Sequence, residues 1–350
     1  MNITVLMRNY VDAIEQELAC RGASIWCGGN RHLSDPVRTA FLKVKRHLLL
    51  KGFYDWEEDR GFFWVPLGPS APAERIAQVY TASTSGLPIK ISPKGEVISA
   101  SSSPVLIANM LEYLKLQPGF KVLEIGTGTG YNAALMAEIV GDPALIHTIE
   151  IQPDLAESAK LLLAQAGYGG IHIHCGDGYW GLPEDAPYDR IIVTTCSSDI
   201  SPCWLEQLSP SGWMLVPLEQ GGGSVAPLTQ VFKDGSGRVL DLAGFGQALG
   251  MLGGSRPWEE VPKEGSSPPC PTILGRKLFL LRGSDWDFVC FVYQLYFFLA
   301  LNASNCCLQW YPKTPETFGL LWDEGGTVGG FLTWEKDGWV RISGSNKRIC

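Results

Sequence analysis

Three glycines at alternate positions, Gly126, Gly128 and Gly130, stand in the run VLEIGTGTG, directly after an apolar segment that carries Glu124 near its end. A backbone without Cβ atoms turns tightly and lets a ligand approach closely. The pattern YNAALMAEIV that follows reads as a helix whose N-terminus points at the same place and favours an anionic group there. Glu150 closes the next apolar run, LIHTIE, twenty residues after Gly130. A carboxylate at the end of that strand accepts both hydroxyls of a ribose and disfavours a 2′-phosphate. A further pair, Asp177 and Gly178, follows a third apolar run, IHIHC. The glycine spacing is G-x-G-x-G, not the G-x-G-x-x-G of nicotinamide enzymes. A glycine turn alone is weak evidence, but the turn, the two strand-end acids and the third loop together point to a nucleoside-containing ligand.

For these residues to converge, the chain must alternate strands and helices. Segments 121–125, 145–150, 171–175, 188–196 and 212–218 read as strands, with helices at 131–140, 154–167 and about Trp204 to Leu208. That alternation argues for a parallel sheet covered on both faces, an α/β doubly wound fold. QVFKDGSGRVLDLAGF, turning at Asp234-Gly235, adds antiparallel strands. Residues 1–80 form an N-terminal helical segment, with Val11, Ile14 and Leu18 and then Val37, Phe41, Val44 and Leu48 at helical spacing; its aromatic, proline-containing end, 52–74, reads as loop. A central domain covers 81–255, a linker 256–269, and a small α+β C-terminal domain 270–350. The last contains an apolar helix pattern at 288–301 and a hairpin signal at Asp337-Gly338.

Composition narrows the classes. Of 350 residues, 45% are apolar and 18% charged, which excludes a disordered chain. The 40 glycines have no three-residue period, which excludes collagen. With 28 basic and 36 acidic residues the net charge is −8, so nucleic-acid binding through a basic surface is not expected. Lys43, Lys45, Arg46 and His47 read as a solvated helix face. Arg8, Asp12, Glu15 and Glu17 interrupt the region where a signal peptide needs an apolar run. The stretch 288–301 falls short of the roughly 20 residues of a membrane span. With no secretory signal read, a cytoplasmic protein with reduced thiols is expected, and the ten cysteines form no C-x-x-C pair to suggest zinc or thioredoxin chemistry. Five histidines (32, 47, 147, 172 and 174) are too few and too spread for a metal site, and His172 and His174 read as structural neighbours on one strand face.

The runs VLEIGTGTGYNAALMAEIVG, IEIQPDLAESA and CGDGYWGLPEDAPYDRIIVT resemble class I S-adenosylmethionine-dependent methyltransferases. More closely they resemble the protein-L-isoaspartate (D-aspartate) O-methyltransferase family. DPVRTAFLKVKRHLLL and GEVISA are similar to that family's N-terminal helical segment and to the approach to its active-site loop, so the resemblance covers about residues 10–255. It implies a Rossmann-like sheet and S-adenosyl-L-methionine as cofactor. By this resemblance Gly126, Thr127, Gly128 and Gly130, with Glu124 beside them, cradle the methionine part; Glu150 holds the ribose; Asp177 and Gly178 meet the adenine; and Ser99 is the active-site serine. The implied partner is a protein or peptide bearing isoaspartate or aspartate. No metal, nucleic acid or membrane is implied, and no particular oligomeric state.

Methyl transfer from a sulfonium is an in-line displacement, and a carboxylate acceptor is already ionised at neutral pH. No strong general base is needed; alignment and exclusion of water are what the protein must supply. A serine hydroxyl can orient a carboxylate oxygen without attacking. Methyltransferases acting on amide or adenine nitrogens resemble one another in an Asn/Asp-Pro-Pro-Tyr motif after the fourth strand. This chain has Thr194-Thr195-Cys196-Ser197 there, which fits an oxygen acceptor. One departure stands out: the family's serine-alanine pair is usually followed by Pro-His, whereas here Ser101, Ser102 and Ser103 precede Pro104. Ser103 reads as a helix N-cap, so the serine run has a structural reading beside a catalytic one. The change resembles a branch with extra C-terminal domains, some of whose members methylate aspartates in maturing peptides. A non-catalytic cofactor-binding adaptor and a small-molecule O-methyltransferase are the alternative readings. The C-terminal tryptophans read mainly as core, with a peptide-docking role as the alternative.

Overall fold

Val11, Ile14 and Leu18 lie on one buried face of α1 (Ile3–Arg21), which packs against α2 (Asp35–Lys43). The computed structural model describes residues 2–253 except 22–31, 69–70, 82–85, 220–224 and 247, and beyond them the backbone of five strands. The helical spacing expected to run on to Leu48 stops at Val44, whose backbone is extended at φ −76°, ψ 112°. A 3-10 turn at 46–49 follows and leaves Leu48 exposed.

The stretch 52–74, expected as loop, opens instead with a hairpin. β1 (Gly52–Glu57) and β2 (Gly61–Pro66) pair antiparallel from Gly52↔Pro66 to Glu57↔Gly61. Paired Phe53 and Val65 are buried while Trp56 and Trp64 stay exposed, the two-residue alternation of a half-buried sheet. The charges Glu57 to Arg60, which masked that period, are the turn itself, closed by Gly61 at φ +70°. Pro66 sits at the strand end, where a missing N–H is tolerated.

After α3 (Ala73–Val79), β3 (Leu87–Ile91) and β4 (Val97–Ser101) form a second antiparallel pair. α4 (Pro104–Leu114) starts on the expected proline, although Ser103 makes no side-chain cap to it. The expected alternation then appears in order: β5 (Val122–Ile125), α5 (Tyr131–Val140), β6 (Ile146–Glu150), α6 (Pro153–Gln165), β7 (His172–Cys175), β8 (Tyr188–Val193), α7 (Pro202–Gln207) and β9 (Leu208–Pro217). The hairpin β10 (Val225–Phe232) and β11 (Gly237–Gly244) follows. The sheet order is β11-β10-β9-β8-β5-β6-β7, with β9-β8-β5-β6-β7 parallel and β10 antiparallel to β9. β5 and β6 are buried along their whole length, as strands covered on both faces are. Because β6 lies on one side of β5 and β8 on the other, the winding reverses there and leaves a crevice beyond their carboxyl ends.

The chain divides into two units, one of residues 1–217, 228–241 and 245–253, the other of 218–227, 242–244 and 254–350. Residues 1–80 therefore share the unit of the parallel sheet. In the second unit β12 (Thr272–Phe279), β13 (Cys307–Trp310), β14 (Thr317–Trp322), β15 (Val328–Trp334) and β16 (Trp339–Gly344) form an antiparallel sheet in the order β12-β16-β15-β14-β13. The strands flanking the predicted hairpin turn pair through Trp334↔Val340, while Asp337-Gly338, the linker 256–269 and the apolar segment 288–301 lie outside the described residues. No described helix is long and apolar enough to cross a membrane.

Of the basic cluster, Lys43 and Lys45 are exposed as expected and His47 is half-buried, but Arg46 is interior. Arg46 is 1% exposed. Its guanidinium donates to Ser101 Oγ at 3.0 Å, to the carbonyls of Ser101 and Ser102 at 3.1 and 2.8 Å, and to Tyr10 Oη at 3.1 Å. All these acceptors are neutral. Arg46 thus joins α1 to the end of β4 through a planar fork that lysine cannot reproduce. Removing it strands buried acceptors: Arg46→Ala is expected to cost about 3 kcal/mol in equilibrium urea unfolding, and Arg46→Lys less. A loss below about 0.5 kcal/mol, the size of an ordinary surface change, would contradict this role.

Candidate active site

At the end of β5 the chain turns through Gly126 at φ +100°. A Cβ there would lie 2.4 Å from Thr194 Oγ1, so no other residue fits beside the end of β8. Thr194 Oγ1 donates to the Gly126 carbonyl at 2.8 Å, and the Gly126 N–H donates to the Ile149 carbonyl at 2.9 Å. The glycine turn is thereby tied to the strands on both sides of it.

Glu150 is 5% exposed and completes that attachment. Its Oε2 accepts from the Gly128 N–H at 2.9 Å and its Oε1 from the Gln152 N–H at 3.1 Å. Each carboxylate oxygen keeps a further lone pair for a ligand hydroxyl. Below the loop, Thr127 Oγ1 and Thr148 Oγ1 are 2.7 Å apart, and Thr148 donates to Glu124 Oε2 at 2.7 Å. Asn132 Nδ2 donates to Glu124 Oε1, also at 2.7 Å. Glu124 is fully buried, and burial pushes its carboxyl up to about 7 against the two hydrogen bonds, which favour the ionised form. Both its oxygens are engaged in bracing the loop from beneath.

These residues wall a cavity of about 390 Å³, within the range of small-molecule sites. Gly126, Thr127, Gly128, Glu124, Glu150 and Gly178 all line it, together with Ser99 and the rest of the β4 end. Ser99 is half-buried. Ser101, two residues on and equally part of the lining, is committed to Arg46. Gly130 stands behind the wall, where its Cβ would meet the Leu163 side chain at 2.6 Å. Phe245, Leu249 and Leu252 supply apolar surface from the segment after β11.

Asp177 sits beside the cavity rather than on its lining. Its Oδ1 accepts from the Tyr179 N–H at 3.0 Å and its Oδ2 from the Met251 N–H at 2.9 Å. It thereby anchors the segment that contributes Leu249 and Leu252. Gly178 packs against β5, where a Cβ would fall 2.5 Å from Ile125 Cγ2.

The fold brings the nine expected site residues to one region, seven of them on the cavity lining, Asp177 beside it and Gly130 just behind. Sequence reading missed Arg46, Asn132 and the cover from Phe245 to Leu252. Asn132 follows Glu124 across one strand-to-helix turn and has no motif of its own. The cover residues come from beyond the last sheet strand, where no periodicity marks them.

The family model for protein-L-isoaspartate(D-aspartate) O-methyltransferase matches residues 75–242. A protein-L-isoaspartate O-methyltransferase from Pyrococcus horikoshii is 37% identical over 231 residues, 65% of this chain and 89% of that protein. One from Methanosarcina mazei is 39% identical over 196 residues, 55% of this chain and 77% of that protein. A third, from Archaeoglobus fulgidus, is 46% identical over 145 residues, 41% of this chain and 64% of that protein. A solved protein-L-isoaspartate O-methyltransferase structure superposes with a TM-score of 0.53 at 26% identity, covering 97% of this chain and 89% of that one. With the doubly wound sheet, the glycine turn and Glu150 in these positions, the chain belongs to the protein-L-isoaspartate (D-aspartate) O-methyltransferase family, whose cofactor is S-adenosyl-L-methionine.

Proposed function

We propose that the chain transfers a methyl group from S-adenosyl-L-methionine to the free carboxylate of L-isoaspartyl residues in proteins or peptides, in the cytoplasm. The observation that carries this reading is the coincidence, in one cavity, of a cofactor cradle and the serine-bearing β4. On this reading Gly126, Thr127, Gly128 and Gly130 shape the pocket for the methionine part. Glu150 takes the ribose hydroxyls with the lone pairs that its bonds to the loop leave open. Asp177 and Gly178 form the adenine end; Asp177 keeps a lone pair on each oxygen for the exocyclic amine. Glu124 acts through Thr148 and Thr127, holding the loop in shape.

When bound, the cofactor supplies an electrophilic methyl on sulfur. The chain's own residues supply alignment. Ser99 donates a hydrogen bond to one acceptor oxygen and so aims the other along the line of displacement. The apolar side chains of Phe245, Leu249 and Leu252 exclude water from the cavity. No described side chain in the cavity is placed as a strong base, and an ionised carboxylate does not require one.

The serine run favours one competing acceptor. With Ser101 and Ser102 held by Arg46 in place of the family's Pro-His, an ordinary aspartyl side chain in a maturing peptide is the second reading. Labelled methyl transfer to paired synthetic peptides decides between them, with a base-labile ester as readout. The expected result is label on the L-isoaspartyl peptide only. Label on the L-aspartyl peptide alone moves the assignment to maturation, and label on neither overturns a carboxyl methyltransferase.

The two roles separate in kinetics. Glu150→Ala is expected to weaken cofactor binding by calorimetry about 10- to 100-fold, the equivalent of about 1.5–3 kcal/mol for hydrogen bonds to a charged group. Ser99→Ala is expected to lower kcat about tenfold or more with the cofactor Kd unchanged. Normal turnover by the serine variant would remove Ser99 from the mechanism.

A further inference from the structure

The parallel register of β6 and β7 sets His147 opposite His172 and Ile149 opposite His174, so three imidazoles separated in sequence project from one face. The register thus brings together three of the five histidines that their sequence spacing sets apart. The His147 and His172 rings stack at 4.6 Å, and the His147 and His174 rings are 6.3 Å apart. The 3-10 turn at 183–185, ahead of β8, then delivers Asp185 to the same place. Asp185 Oδ2 lies 3.3 Å from His147 Nδ1 and 4.0 Å from His174 Nε2.

Neither His147 Nδ1 nor His174 Nε2 has a hydrogen-bond partner among the described residues, although both atoms are shielded from solvent. His147 as a whole is 3% exposed. Buried polar atoms are ordinarily satisfied, and two of them converging on one carboxylate oxygen call for a ligand. One donor atom from each of the three residues lies within 4.8 Å of the others.

We propose that His147 Nδ1, His174 Nε2 and the Asp185 carboxylate form a three-ligand site for a divalent d-block cation, with Zn²⁺ as the fitting probe and water in the fourth position. Tetrahedral Zn²⁺ with bonds of about 2.0–2.2 Å separates its ligands by about 3.3 Å. The His147–Asp185 pair already has that spacing. His174 closes the remaining gap by a small ring movement, which its partial exposure permits. Two imidazoles and one carboxylate suit zinc and its neighbours, whereas Ca²⁺ and Mg²⁺ prefer all-oxygen sets. Lys121 donates to the Asp185 carbonyl and so fixes the turn. Its positive charge also opposes a cation nearby, so binding is expected to be moderate.

None of the three ligands lines the cofactor cavity. His147 stands three residues before Glu150 on the same strand, a span of about 10 Å. A bound cation pins the 183–185 turn to β6 and stiffens the strand that ends in Glu150.

The test is calorimetric titration of metal-stripped full-length protein with Zn²⁺, with Co²⁺ absorption as a second readout. The expected result is one equivalent bound by the wild-type chain and binding at least tenfold weaker in His174→Ala and in Asp185→Asn. Both replaced side chains are partly exposed, and far-ultraviolet circular dichroism checks that the variants are folded. Co²⁺ is expected to show d–d bands without a thiolate charge-transfer band. No stoichiometric Zn²⁺ binding by the wild type, or equal binding by both variants, overturns the site. A thiolate band lost in Cys175→Ser also overturns it, because it places the metal on the exposed cysteine at the end of β7.

Discussion

The hydrogen bond from the Gly128 N–H to Glu150 Oε2, at 2.9 Å, is the contact on which the site depends. It joins the tip of the glycine loop to the end of the neighbouring strand, and makes the acid proposed to take the ribose also the residue that sets the loop. A carboxylate 5% exposed is costly unless its charge is satisfied, and two backbone N–H groups satisfy it before any ligand arrives. The loop's shape is therefore set by the chain's own hydrogen bonds. Preformed sites lose less conformational freedom on binding than loops that must order.

That contact is held from two directions. Below it, the chain Thr127–Thr148–Glu124–Asn132 runs from the loop into the first turn of α5, with a buried acid at its centre. Beside it, Gly126 admits the Thr194 hydroxyl where any side chain would collide. Farther out, Arg46 plays the corresponding part for the opposite wall by gripping the end of β4. The cavity thus lies between two backbone segments, each fixed by buried hydrogen bonds, and the doubly wound sheet places them face to face.

Much of this was legible in the sequence, for identifiable reasons. β5, β6 and β8 are buried parallel strands, written as apolar runs between helical patterns, and both the glycine turn and Glu150 sit at such strand ends by rule. The hairpin at 52–66 was not legible, because its turn carries the charges and its aromatics face both ways. Arg46 was misread for a related reason: a basic residue among lysines reads as surface, and only the hydrogen-bonding groups of Tyr10, Ser101 and Ser102, distant in sequence, make an interior place for it. Asp177 was placed at the right loop, but its bond to Met251 pairs residues 74 positions apart and follows no local pattern. The histidine convergence depends on the register of two parallel strands, which residue spacing does not encode.

The account requires the crevice to be built for a nucleoside bearing a short amino-acid tail, not for a dinucleotide. Parallel calorimetric titrations of the full-length chain with S-adenosyl-L-homocysteine and with NAD test this most directly. The predicted result is one molecule of S-adenosyl-L-homocysteine bound per chain and no heat with NAD. Binding of NAD, or failure to bind S-adenosyl-L-homocysteine, would contradict it.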